Sequence, residues 1–402
     1  MGDDNLIKSE GYLTMTKQLN VKVQKNILLI VVVMFWFSQY VYMPYQTPYL
    51  ISIGVTASFV GVVVGAYGLS QMLLRMPVGI IADLRGHHRF FIIIGAASSG
   101  LASLFRIFIP DGIGFLLGSL FSGLASAMWI SFMVLYSNYF KKEEMQKSMG
   151  TIIAANNIGI LIGFVCGSLF YDKLGMNFLC ILSLIAALPS TILGFFIKEP
   201  TVNFTPLSVK QLVTVYKDKR LIGFSLLALI QQGVLMSTAM SFTNQVARQL
   251  GASGLQIGIS SIIYISAAVI SSYFSASKLA LKQGPGIWIP GVLICICIYC
   301  LIIPNVHFVI YIYFAQILIA MSTGILFSFC TSEAMKNVKQ DRKSTAMGYF
   351  QAIYALGMTI FPVFTGIIAN NYSISTSYYF MSFISAVGFL GAVYFYKFKI
   401  SI

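Results

Sequence analysis

The chain has 402 residues, of which 57% are hydrophobic and only 9% charged. Water-soluble domains carry about a quarter charged residues, so this composition excludes a soluble globule. A net charge of +14 raises the question of nucleic acid, and the placement of the charges, followed below, excludes it.

Residues 1–26 are polar and show no apolar core followed by a small-residue cleavage site, so no removable signal peptide is expected. Apolar runs of roughly twenty residues follow, the length that crosses about 30 Å of hydrocarbon. Twelve are predicted, at about 27–49, 57–81, 90–109, 113–137, 148–170, 177–197, 221–246, 256–276, 287–303, 308–331, 345–369 and 377–396. None alternates with period two, which argues against an outer-membrane barrel. The expected fold class is an all-α polytopic membrane protein with twelve transmembrane helices.

The basic residues fall on one side of this pattern. Of 26 Lys and Arg, 22 lie in the N-terminal tail, in alternate loops and at the C-terminus. The opposite loops hold only Lys173 and Arg248, and Arg75 and Arg106 lie inside spans. Positive residues stay cytoplasmic. Both termini are therefore expected in the cytoplasm, in a plasma membrane of the bacterial inner-membrane type. The charge is a topology signal with some attraction to anionic lipid.

The longest polar connection, 198–220, divides the chain into an N-terminal bundle at 27–197 and a C-terminal bundle at 221–397, preceded by the cytoplasmic tail 1–26. The halves repeat. At an offset of 198, SMGTIIAANNIGILIGFVCGS (148–168) aligns with AMGYFQAIYALGMTIFPVFTG (346–366), matching Gly150 with Gly348 and Gly159 with Gly357. Parallel six-span repeats are the plan of one transporter class.

The turn between the second and third spans reads GIIADLRGHHR, at 79–89. Its Gly79, Asp83, Gly86 and Arg89, with Arg75 and Pro77 just before them, resemble the signature loop of the major facilitator superfamily. A carboxylate at the membrane edge needs a partner, and a helix N-terminus offers free N–H groups and a dipole worth about 0.3–2 kcal/mol. The resemblance implies which helix: the eleventh, beginning near Ser344 and Thr345, with Arg342 or Lys343 adding a charge pair. Gly79 has no side chain, so another helix could approach closely there. Together these residues are expected to form a latch closing the cytoplasmic side. His87 and His88 are read as topology signals.

Other positions depart from the family. The fourth helix has Ser119 four residues before Gly123, where many members carry an Arg linked to proton movement. In the fifth, Gly163 is followed by Phe164 and not by Pro, although Gly159, Gly163 and Gly167 still form a small-residue stripe. The second half has Leu281 where Asp83 stands in the first. These departures weaken the expectation of proton antiport.

The resemblance places helices 1, 4, 7 and 10 around a midplane site, with 2, 5, 8 and 11 at the sides. Substrate-binding candidates are Gln39, Trp129, Asn157, Gln232, Gln316 and Tyr354, with Asn156, Gln231 and Gln351 beside them. Amides in hydrocarbon need partners, and each could equally be an interhelical bond worth about 0.6 kcal/mol. No ionisable group is expected in the cavity, so a neutral or lipophilic organic solute is favoured. Proton coupling would have to use Asp83, Glu333 or a group whose pKa a partner shifts; no other cofactor is expected. The six cysteines are read as packing residues. No GxxxxGK[ST] loop is present, so ATP is not expected as a partner, and a monomer is expected.

The leading reading is a secondary transporter, with export ahead of nutrient uptake. A non-transporting sensor on the same scaffold is the rival class. A membrane-embedded enzyme would need clustered His or acids within spans and is not expected.

Overall fold

The computed structural model describes residues 3–85, 87–141, 144–200, 218–338 and 343–398; for 3–20, 82–85, 145–146, 343–344 and 398 it describes the backbone alone. Eleven apolar helices among these residues are long enough to cross a membrane. One of them, Lys147–Gly194, has 48 residues and is interrupted at Gly175, whose φ of 75° lies in the left-handed region that favours glycine. Divided there, it supplies two crossings, and the total is twelve.

They are α1 (Val21–Ser52), α2 (Ala57–Ile81), α3 (Arg89–Phe108), α4 (Gly112–Asn138), α5 (147–174), α6 (176–194), α7 (Lys219–Gln249), α8 (Gly254–Ser275), α9 (Pro285–Asn305), α10 (Val309–Met335), α11 (Thr345–Asn371) and α12 (Ile374–Lys397). A short helix, Lys278–Gln283, precedes α9. An even number of crossings returns the chain to the side where it began. That side is the terminal face below, and the other is the far face.

Helices α1–α6 and α7–α12 form two six-helix bundles of the same plan. The glycines matched by the 198-residue offset do the same work in each. A Cβ on Gly159 would collide with the Val33 carbonyl of α1, and one on Gly357 with the Leu229 carbonyl of α7. Gly163 and Gly167 continue the first contact, against Val41. Each bundle is also tied by buried hydroxyls, which replace the hydrogen bonds that water would offer outside the membrane. Ser38, Ser99, Ser103 and Ser183 link α1, α3 and α6 at 2.6–3.0 Å. Thr243 bonds Tyr299 at 2.5 Å and Tyr378 at 2.6 Å, linking α7, α9 and α12.

Helices 1, 4, 7 and 10 are each irregular near mid-span. The first breaks at 41–42, just before Pro44, whose ring has no N–H and crowds the preceding turn. The fourth is interrupted at Met128. The seventh and tenth contain π-helical turns, Thr238–Phe242 and Ser322–Leu326. Shifted by 198, positions 41–42 fall within the first π-turn and 128 on the last residue of the second. Such insertions leave carbonyls outside the regular ladder and recur at functional sites.

Candidate functional site

The bundles meet along α2 and α11. Gly61, Gly65 and Gly68 on α2 lie so close to Pro362, Thr359 and Met358 on α11 that a Cβ on any of them would overlap that helix. The close approach expected at Gly79 is found at these three positions instead. A Cβ on Gly79 would have Ile130 Cδ1, at 4.0 Å, as its neighbour. Tight packing of α2 against α11 is thus built from the far-face half of α2.

At the far face the bundles are joined by polar contacts. The Asp172 carboxylate, at the end of α5, accepts the backbone N–H groups of Gly254 at 2.9 Å and Leu255 at 3.3 Å, the first two residues of α8. The next N–H, of Gln256, goes to the Ser253 hydroxyl, and Gln256 returns a bond to the Ser253 N–H, a capping box. An acid of one bundle therefore completes the N-terminal cap of a helix in the other. Tyr45 of α1 donates to the Gly254 carbonyl at 3.1 Å and stacks on Tyr171 with ring centroids 4.2 Å apart. Thr47 of α1 bonds Ser241 of α7 at 2.8 Å.

At the terminal face the same two helices, α5 and α8, part. A cleft of about 580 Å³ opens between them, lined by Gly150, Ile153 and Asn157 on one side and Ser266, Ile270 and Tyr273 on the other. Nearer the far face the helices touch, with Gly258 against Ser168.

The substrate candidates divide. Trp129 of α4 packs edge-on to Trp36 of α1 at 5.2 Å, and Tyr40 packs edge-on to Phe164 of α5 at 5.9 Å. Gln39 is buried, and neither of its amide atoms has a protein partner. Asn157 lines the cleft. Gln232 is half-buried on α7. Gln316 donates to Ser260 of α8 at 3.0 Å, and Gln231 to Ser322 in the π-turn of α10 at 3.2 Å; both leave their oxygens unpaired. Both bonds run between helices. Tyr354 of α11 receives a hydrogen bond from Arg75 of α2.

The described residues among those expected at the latch have separate partners. The backbone of Asp83 belongs to the helix Ala57–Arg85; its side chain, with Gly86 and Arg342, lies outside the described residues. Arg75 is at the α2–α11 contact. Arg89 is held within its own bundle, its backbone N–H on Glu199 and its guanidinium on the Phe195 carbonyl. Glu199 also meets His87 at 3.1 Å. His88 is buried, and burial pushes its imidazole below the usual histidine range, an effect that Glu199 opposes and His87 reinforces. Glu333, at the terminal end of α10, forms an ion pair with Arg220 of α7 and lies 3.9 Å from Lys336.

Asp172 was not among the residues singled out in the sequence. A readable signal existed: the Ser253–Gln256 spacing marks the start of α8, and an acid closes α5. Arg106 lies buried inside the N-terminal bundle. It donates to Ser122 at 3.0 Å, lies 4.2 Å from the face of Tyr42, and fits where Gly118 has no side chain.

Comparison with known proteins agrees with this architecture. The sequence model of the Major Facilitator Superfamily matches residues 28–350 and 224–399. An uncharacterized MFS-type transporter, MJ1560 of Methanocaldococcus jannaschii, is 25% identical over 393 residues, covering 91% of this chain and 97% of the relative. The inner membrane transport protein YajR of Escherichia coli is 28% identical over 137 residues, 34% of this chain and 30% of that protein. Among solved structures, a bacterial homolog of the human lysosomal transporter Spinster, inward-facing and unoccupied, superposes with a TM-score of 0.73 at 12% identity, covering 94% of this chain and 98% of that one. The nucleoside transporter NupG gives 0.72 at 15%, covering 94% and 100%. Two repeated six-helix bundles, with the family's sequence pattern running through both, make this chain a membrane transporter belonging to the major facilitator superfamily.

Proposed function

We propose that the protein is a secondary transporter that moves a small organic solute with an apolar, partly aromatic body by alternating access, in the direction of export. The terminal face, the side to which the order of spans assigns 22 of the 26 basic residues of the sequence, is taken as cytoplasmic. The observation that carries the reading is the opposite behaviour of α5 and α8 at their two ends. They are joined by Asp172 and Gly258 at the far face and parted by the cleft at the terminal face. Rocking the bundles about the α2–α11 contact would exchange these two states.

The solute class is supported by the apolar cleft and by the rings of Trp36, Tyr40 and Trp129. Gln39, Trp129, Asn157, Gln232, Gln316 and Tyr354 remain the proposed substrate contacts, and Asp83 the proposed latch in the alternate state. Export is favoured because an apolar solute collects in the inner leaflet and cytoplasm beside the cleft. The test is transport by everted and right-side-out vesicles, with and without a proton gradient, over a chemically mixed solute panel. Accumulation in everted vesicles supports export. Accumulation only in right-side-out vesicles would reverse the direction, and none in either would remove the transport reading for that panel.

A further inference from the structure

Arg75 is the buried cation that joins the bundles. It lies on α2 and is 5% exposed. Its Nη1 donates to the Tyr354 hydroxyl of α11 and its Nη2 to the Gln71 amide oxygen, one turn back on its own helix. The guanidinium carbon is 5.1 Å from the centre of the Tyr354 ring. Its Nε has no protein acceptor. The Gln71 amide nitrogen and, on α11 one turn before Tyr354, the Gln351 amide oxygen are also buried without protein partners.

An arginine cannot escape burial by losing its proton, so a buried guanidinium needs an anion or a full set of acceptors. Among the described residues, the carboxylates in ion pairs are Glu199 and Glu333, both at the terminal face and both engaged elsewhere. Asp83 lies eight residues, about 12 Å, further along the helix. The guanidinium turns the other way, toward Gln71. Arg106 makes an instructive contrast. It too is buried beside a tyrosine ring, and its Nε also lacks a protein acceptor, but its contacts are within the N-terminal bundle, in a notch cut by Gly118. Its role is packing. Arg75 instead faces the seam across which the bundles must move, where an intramembrane charge marks a functional site.

We infer that Arg75 is the anchor for an anionic group on the transported solute, so that the solute is an amphipathic organic acid with an aromatic or aliphatic body. This rests on the transport reading above and narrows its substrate class. A carboxylate can take the planar guanidinium fork two bonds at a time, and Nε is already free for one of them. Tyr354 then holds the fork in place while the site is empty. The neutral solute favoured by the sequence followed from a cavity read as uncharged, and an anion held by Arg75 would replace that reading.

The experiment compares acids with their own amides on purified protein. Probes are salicylate, 1-naphthoate and indole-3-acetate, each beside its primary amide, with thermal stabilisation of wild type, R75K and R75Q as the readout. The expected result is that at least one acid stabilises wild type at lower concentration than its amide. R75Q should lose that preference by about tenfold or more, the worth of a hydrogen bond to a charged group, while its response to the amide, a weaker acceptor, changes less. R75K, a point charge without the fork, should keep part of it. A merely structural arginine would shift the unliganded melting temperature and leave the acid-to-amide ratio alone. The inference is overturned if no acid is preferred to its amide by wild type, or if R75Q keeps the preference. Should R75Q not fold, an unchanged ratio in R75K overturns it equally. Vesicle transport reports separately. Acid preference without any gradient-linked movement would sink the transport reading and leave Arg75 as an anion site.

Discussion

Asp172 Oδ1 accepts the Gly254 N–H at 2.9 Å, and these two residues belong to different bundles. A carboxylate at a helix N-terminus is worth about 1 kcal/mol near a surface, or about fivefold in the balance between two states. Asp172→Asn keeps the shape and removes the charge. It is expected to raise labelling of a cysteine placed at Ser168, buried beneath Gly258, about fivefold from the far side. Because Asp172 is exposed, high salt should reduce the difference between variant and wild type. Equal labelling at low salt would show that Asp172 does not hold this face shut.

The repeat makes a prediction in pairs. Gly159→Ala and Gly357→Ala each drive a methyl into a backbone carbonyl of the neighbouring helix. Each should cost about 1–3 kcal/mol, seen as a lower melting temperature, and the two costs should be similar. Gly150→Ala and Gly348→Ala, also matched by the repeat, meet nothing within 4 Å. These should be neutral or stabilising by up to about 1 kcal/mol, since alanine is the better helix former. A large difference within either pair would break the equivalence of the halves.

Glu333 was a candidate proton carrier in the sequence and is an ion-pair partner in the structure. Glu333→Gln leaves Arg220, itself partly exposed, without its anion. The expected loss is about 1–3 kcal/mol of stability, below the full cost of breaking a fully buried pair. Any dependence of transport on a proton gradient should survive. Loss of that dependence, with stability intact, would return Glu333 to the proton path.

His88 gives a pH dependence of known sign. Burial lowers its folded pKa, so protonation costs more in the folded protein than in the unfolded chain. Its contribution to stability is fully present above the unfolded value of about 6.5 and is lost as pH falls from there toward the lower folded value. Wild type should therefore melt earlier at pH 5.5 than at pH 7.5, and His88→Gln should show a smaller difference. An equal difference in the two proteins would remove His88 as the cause.

The twelve crossings were legible because apolar length is a local property, and runs such as 287–303 carry it alone. The repeat was legible for the same reason, since Gly159 and Gly357 stand at equal positions in their halves. Contacts between helices were less so. The stripe Gly61, Gly65 and Gly68 was in plain view, yet the family motif drew attention to Gly79, which meets little. Arg75 lies near Asp83 in the chain and was read with it, but its side chain turns toward α11, and no local pattern reveals that direction. The π-turns at 238–242 and 322–326 have no simple residue signature, whereas the break in α1 was marked by Pro44.

The central claim is that the bundles rock as two bodies about the α2–α11 seam. Paired spin labels in a cysteine-free background test it most directly. One pair, at Gly150 and Tyr273, spans the terminal-face cleft, and the other, at Leu174 and Gln249, spans the far face. The two distances should change in opposite directions between populations. Asp172→Asn should favour a longer far-face and shorter terminal-face distance, and Asp83→Asn the reverse. Distances that lengthen together, or that neither substitution shifts, would contradict the account.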